Sequence, residues 1–242
     1  MSRLELQRPR DLGDLVTLSF NLFTRNFTPL FTLATIVVAP YVILIDGVWG
    51  RALAQGADAR SHGPSTTAYL LVGFLVVQPM MAASVVRYLL ALSEGRQLTV
   101  GQALRAGLEV VLPAGAAVLM AAVGIAAGAI LFVLPGIWLA VRWAFVAQAV
   151  VVLGARGAGA LRASAALVDG AWWATCGRLL VLNLVGGAIN LVSGLPAAAV
   201  KESVAYVVLT TIGTAASVAY TAVAITVLFF DRRARREMAA SL

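Results

Sequence analysis

The sequence predicts an all-α fold: an integral membrane bundle of six transmembrane helices with three interfacial amphipathic helices. Three observations predict it. Of 242 residues, 61% are hydrophobic and 12% charged, with a mean hydropathy of +0.92, whereas soluble domains are about 45–50% apolar and about 25% charged. Six apolar runs approach or exceed the roughly 20 residues that cross a hydrocarbon layer. Lys and Arg fall mainly on alternate connections between those runs.

The first element, "RDLGDLVTLSFNLFTRNF", puts Leu12, Leu15, Val16, Phe20 and Phe23 on one helical face, opposite Asp14, Thr17, Asn21 and Thr24. That pattern predicts a helix lying in the interface plane. Two spans follow, Phe27–Trp49 and Thr67–Leu92, with Pro40 and Pro79 as expected kinks. "LTVGQALRAGL" is the second amphipathic segment, with Val100, Ala103, Leu104 and Leu108 facing one way and Gln102, Arg105 and Glu109 the other. It precedes spans Val110–Leu134 and Ile137–Leu153. "GAGALRASAALVDGAWW" is the third, with Leu161, Ala165 and Val168 on its apolar face, and it precedes Cys176–Val200 and Val204–Phe230. The order repeats three times, in units of about 11–92, 98–153 and 157–230. A basic tail, 231–242, completes one integral membrane domain, 1–242.

Orientation follows from charge. Arg3, Arg8, Arg10, Arg25, Arg87, Arg96, Arg105, Arg156, Arg162, Arg178, Arg232, Arg233, Arg235 and Arg236 share one side, against Arg51, Arg60 and Lys201 on the other. The positive-inside rule makes the rich side cytoplasmic, so both termini are expected there. Trp49, Tyr69, Trp138 and Tyr206 then mark the outer boundary, and Tyr88, Trp172 and Trp173 the inner one.

Arg142 stands out inside "LPGIWLAVRW". With Pro135 and Gly136 forming a tight outer turn, it would sit about 8–9 Å below the outer surface by helix rise. An unpaired arginine at mid-membrane costs about 2.5–3.5 kcal/mol on insertion scales. The expected remedy is an ion pair with Asp46, with Glu202 as second choice; snorkelling and a place in an ion path are the alternatives. Asn183 and Asn190, seven apart on one span, and Gln78 and Gln148 on others, read as interhelical hydrogen bonds or as the lining of a polar pathway. Gly124 and Gly128 make a small-xxx-small face. Arg232, Arg233, Arg235 and Arg236 read as a topology anchor or as contacts to anionic lipid heads.

Catalytic signatures are poor. One Cys and one His, Cys176 and His62, do not make a metal site, and no metal or other cofactor is expected. No P-loop, H-E-x-x-H or G-x-S-x-G occurs. Ser164, in "LRASAAL", has no evident base beside it. The net charge of +7 lies between apolar runs rather than on a soluble basic surface, so nucleic acid is not an expected partner. The first apolar run is too long for a signal peptide.

Three stretches carry a family resemblance: "RPRDLGDLVTLSFNLFTRNFTPLF", "LPGIWLAVRWAFVAQAVVVLGARGAGALRASAALVDGAWW" and "FFDRRARRE". Together they resemble the glycerophosphoryl diester phosphodiesterase membrane-domain family and related bacterial multi-pass proteins of unknown function. The resemblance implies a stand-alone membrane domain in a bacterial cytoplasmic membrane, without the separate soluble domain that carries esterase activity. The chain departs from the pattern at Gly154, where relatives commonly have an acid. The functional expectation is a non-catalytic accessory or scaffold protein for envelope or lipid processes. Its expected partners are membrane lipids and other envelope membrane proteins. A small transporter or lipid-handling permease is the alternative, and it requires the amides and Arg142 to converge on one cavity.

Overall fold

The computed structural model describes residues 8–43, 73–198, 200 and 204–241, and all regular structure among them is helical. Helix α1 (Leu12–Arg25) meets α2 (Phe27–Val42) at an angle of 84°. Asn26 makes the corner: its side-chain amide donates to Leu22 O at 3.0 Å, and its carbonyl accepts from Tyr88 Oη at 3.2 Å. The amphipathic reading of α1 holds in part. Leu15, Leu22 and Phe23 enter the core, but Leu12 and Phe20 stay exposed, as a helix dipping two apolar side chains into an interface would leave them.

A π-helical turn, Gly73–Val77, leads into α3 (Gln78–Ser93), with Pro79 in its first turn, where no intrahelical N–H is needed. Thr99 and Gln102 close a capping box and start α4 (Val100–Leu131). This long helix absorbs the expected second interfacial segment without a break. In the second of the three expected units the interfacial helix is therefore not a separate element.

The expected Pro135–Gly136 bend is displaced. The chain turns at Phe132, which is extended (φ −159°, ψ 144°), and α5 (Val133–Arg142) already contains both residues. Pro135 sits in the first turn, where its missing N–H costs nothing. Gly136 serves close approach: a Cβ there would meet Ala129 Cβ at 2.7 Å. Gly128 and Gly124 provide the same on the facing helix, against Leu139 and the ring of Trp143. The small-xxx-small face thus packs α4 on the segment that follows it.

The helix breaks over Trp143–Phe145 and resumes as α6 (Val146–Leu153), which ends at Gly154 in the left-handed conformation, φ 65°. Then α7 (Ala158–Val168) folds back. Ala160 clusters with Val146 and Val150, Ser164 bonds at 142 and 145, and Asp169 pairs with Arg142. Rising numbers meet falling ones, so α7 is antiparallel to α6 and reaches the break. There Ser164 Oγ accepts from Phe145 N at 3.1 Å and donates to Arg142 O at 2.8 Å. Ser164 needs no catalytic role, because it satisfies two groups that the break releases.

Last come α8 (Trp172–Ala198) and α9 (Val204–Ala240), which form the most extensive helix pair. Ser217 Oγ donates to Gly186 O at 2.8 Å across it. The core centres on α9, where Tyr220, Val223, Ala224, Val227, Leu228, Phe229 and Phe230 are fully buried among α1, α2 and α3. By contrast, α8 shows Leu180, Leu184, Leu191, Val192 and Leu195 to the outside.

Among the described residues, five segments are long and apolar enough to cross a membrane: Leu75–Ser93, Val100–Leu131, Val133–Leu153, Trp172–Ala197 and Val204–Ala240. The bent α1–α2 pair brings the number to six if it is one span. An all-helical bundle whose outer helices expose leucine and valine fits a multi-pass membrane protein.

Candidate functional site

The apolar run of α9 ends at Phe229 and Phe230, and Asp231 follows with its side chain fully buried. A carboxylate there must be paired. Its Oδ1 accepts from Arg10 N at 2.6 Å, and its Oδ2 from Arg178 Nη1 at 2.9 Å and Arg235 Nε at 3.1 Å. Arg235 also donates through Nη2 to Arg10 O at 2.6 Å. One acid therefore ties together the approach to α1, the start of α8 and the last turns of α9. The local sequence explains the geometry: Asp231 and Arg235 are four apart on one helix, and Arg178 lies two turns into the antiparallel neighbour.

Arg232 turns the other way. It is buried, and both its Nε and its Nη2 donate to Leu167 O at 3.2 Å. Leu167 lies in the last turn of α7, where carbonyls lack helical partners and the macrodipole is negative. Arg178 and Arg235 repel Arg232 electrostatically, and Asp231 attracts it.

The four tail arginines thus part company. Arg232 and Arg235 are built into the fold, Arg233 pairs along the helix with Glu237 at 2.7 Å, and Arg236 is exposed. The tail is helical to Ala240 rather than a loose anchor.

Arg142 has a partner other than the one expected. Its Nη2 lies 2.9 Å from Asp169 Oδ1, and its guanidinium carbon sits 4.5 Å from the Trp138 ring centre. Asp46 and Glu202 lie outside the described residues. The physical reason is the return of α7, which carries an acid from the connection back to the helix break. Trp172 Nε1 donates to Trp138 O at 3.1 Å in the same region. Trp138 and Trp172, assigned from sequence to opposite boundaries, are neighbours.

The Asp169 side chain is 52% exposed and that of Arg142 26%, so this pair is worth about 0.2–1 kcal/mol. Arg142→Met and Asp169→Asn should each lower thermal stability modestly. In a double-mutant cycle the pair should couple by that same small amount. Strict additivity would mean that the two side chains do not meet in the folded protein.

The amides do not converge. Gln78 is exposed at the start of α3. Gln148 is buried in α6, with its Oε1 lacking a hydrogen-bond partner. Asn183 and Asn190 share the outward side of α8, and Asn183 Nδ2 bonds its own helix at Leu179 O, 2.7 Å. Among the described residues these groups lie on three separate helices, α3, α6 and α8.

The Asp231 cluster escaped the sequence reading, although a signal was present. An acid placed directly after "LFF", with arginine four residues on, is an i,i+4 pair at the end of a buried run. The basic count of the tail masked it.

No known family model, curated protein or solved structure matches this chain.

Proposed function

We propose that the chain is a non-catalytic multi-pass protein of a bacterial cytoplasmic membrane, with both termini cytoplasmic, acting as an accessory or scaffold in an envelope or lipid process. The observation that carries this reading is where the polar groups go. Asp231, Arg178, Arg232, Arg235, Ser164 and the Arg142–Asp169 pair connect helices to one another. They bind the bundle together instead of lining a path through it. The contact of Arg10 with Asp231 also sets the residues just before α1 beside the last turns of α9, which an even number of crossings permits. The resemblance to a membrane-domain family points the same way. On this reading the six spans and the interfacial placement of α1 follow from hydrocarbon thickness and amphipathicity.

Purification from native membranes in mild detergent, with identification of the lipids and proteins that accompany the chain, tests the proposal. A recurrent envelope protein or lipid at fixed stoichiometry is the expected result. Solute flux in proteoliposomes that disappears in the Asn183→Ala/Asn190→Ala variant would establish the permease reading instead.

A further inference from the structure

Among the described residues, the Asp231 cluster holds more positive charge than it balances. Three guanidinium groups, Arg178, Arg232 and Arg235, lie within electrostatic reach of one another and of a single carboxylate. Arg232 is buried and engaged with Leu167 O. Arg178 and Arg235 reach the surface, with side chains 15% and 33% exposed. Both donate to the same oxygen, Asp231 Oδ2, so their planes stand close enough to share one more acceptor. Each guanidinium carries five N–H donors. Arg178 places one on Asp231, and Arg235 uses Nε on Asp231 and Nη2 on Arg10 O. Among the described residues the other donors of these two side chains make no further hydrogen bond, and unbalanced charge at a partly buried position is costly. The apolar run of α9 stops at Phe230, and Leu12 and Phe20 of the adjoining α1 are exposed. On the membrane reading, the end of that apolar run would mark the level where hydrocarbon gives way to headgroups.

We propose that Arg178 and Arg235 form a binding site for a phosphate group, presented by an anionic phospholipid headgroup or by a soluble phosphate. Guanidinium pairs suit phosphate oxygens through charge-assisted, bidentate hydrogen bonds. Asp231 is a positioning residue: it fixes the two side chains and leaves a net positive charge. The site rests on the reading of the chain as a membrane protein. It differs from general attraction of a basic tail to lipid, because Arg233 and Arg236 are equally charged but stand outside the cluster.

The test uses the full chain in neutral detergent. Phosphatidylglycerol, phosphatidylcholine and inorganic phosphate are titrated separately, with binding read by native mass spectrometry. Saturable binding of phosphatidylglycerol well above phosphatidylcholine assigns a lipid source. Saturable competition by inorganic phosphate assigns a soluble one, and both support the site. Arg178→Gln/Arg235→Gln should weaken binding about tenfold or more, and Arg233→Gln/Arg236→Gln less than about twofold.

Because the first pair also holds Asp231, the wild-type protein supplies a second measurement. Phenylglyoxal labelling, mapped by mass spectrometry, should be blocked at Arg178 and Arg235 by the bound phosphate compound and unchanged at Arg236. Absence of saturable binding, equal loss in both variant pairs, or unprotected labelling at Arg178 and Arg235 overturns the site. A chain that remains soluble without detergent would instead overturn the membrane reading beneath it.

Discussion

Asp231→Ala should destabilise the protein by about 3–5 kcal/mol, the loss typical of breaking a buried ion pair from one side. The wild-type carboxylate is fully buried and accepts from Arg10 N, Arg178 and Arg235. Without it, two guanidinium groups face each other and the buried Arg232 without the carboxylate that offset them. The N-terminal segment also loses one of its two hydrogen bonds to α9, the one from Arg10 N, and keeps that between Arg235 and Arg10 O. Asp231→Asn keeps the volume and one acceptor, but turns an amide N–H₂ toward cationic donors, so it should recover only part of the loss. Thermal unfolding in detergent, followed by retention on size exclusion, provides the check. A Tm within a degree of wild type for the alanine variant would mean that the cluster does not hold the bundle together.

Gly115→Leu should be the most damaging change that introduces no charge. A Cβ at Gly115 would lie 2.7 Å from Leu75 O, a backbone atom of the turn that opens α3. Backbone cannot rotate away as a side chain can, so the α3–α4 interface must open. Overpacking of this kind costs about 1–3 kcal/mol, and more when helix separation is forced. Gly107 belongs to the same face, where a Cβ would meet Ser84 Oγ and approach Met80 O at 3.1 Å. Gly187→Ala is the control, because nothing lies within 4 Å of its added carbon. It should unfold within about 1 kcal/mol of wild type, the size of the helix-propensity difference between the two residues. Equal effects at Gly115 and Gly187 would mean that α3 and α4 do not meet face to face.

Much of the fold was legible because it depends on length and period. Apolar runs near 20 residues are long helices whatever their partners: α4 and α8 overlap most of the expected spans but stop at Leu131 and Ala198, and α9 covers its span and runs on to Ala240. The capping box of Thr99 and Gln102, which opens α4, was not read from the sequence. The illegible part depends on where separate elements meet. Nothing local says that α7 turns back on α6, since the glycines at 154 and 157 permit the turn without aiming it. That one return gives Arg142 the acid at 169 and sets Trp172 beside Trp138. The small residues at 124 and 128 did signal close contact, but only the structure identifies Trp143 and Leu139 as what approaches them. The Asp231 cluster joins residues more than 200 positions apart, and helical periodicity carries no information at that range.

The central claim is a membrane-embedded bundle whose first and last helices meet, leaving both ends of the chain on one side. Single cysteines at Arg8 and Arg236, both exposed positions, can be introduced with Cys176→Ser and probed with a membrane-impermeant maleimide. Both should be unreactive in intact spheroplasts and both should label after lysis. Labelling of one position but not the other before lysis would contradict the account.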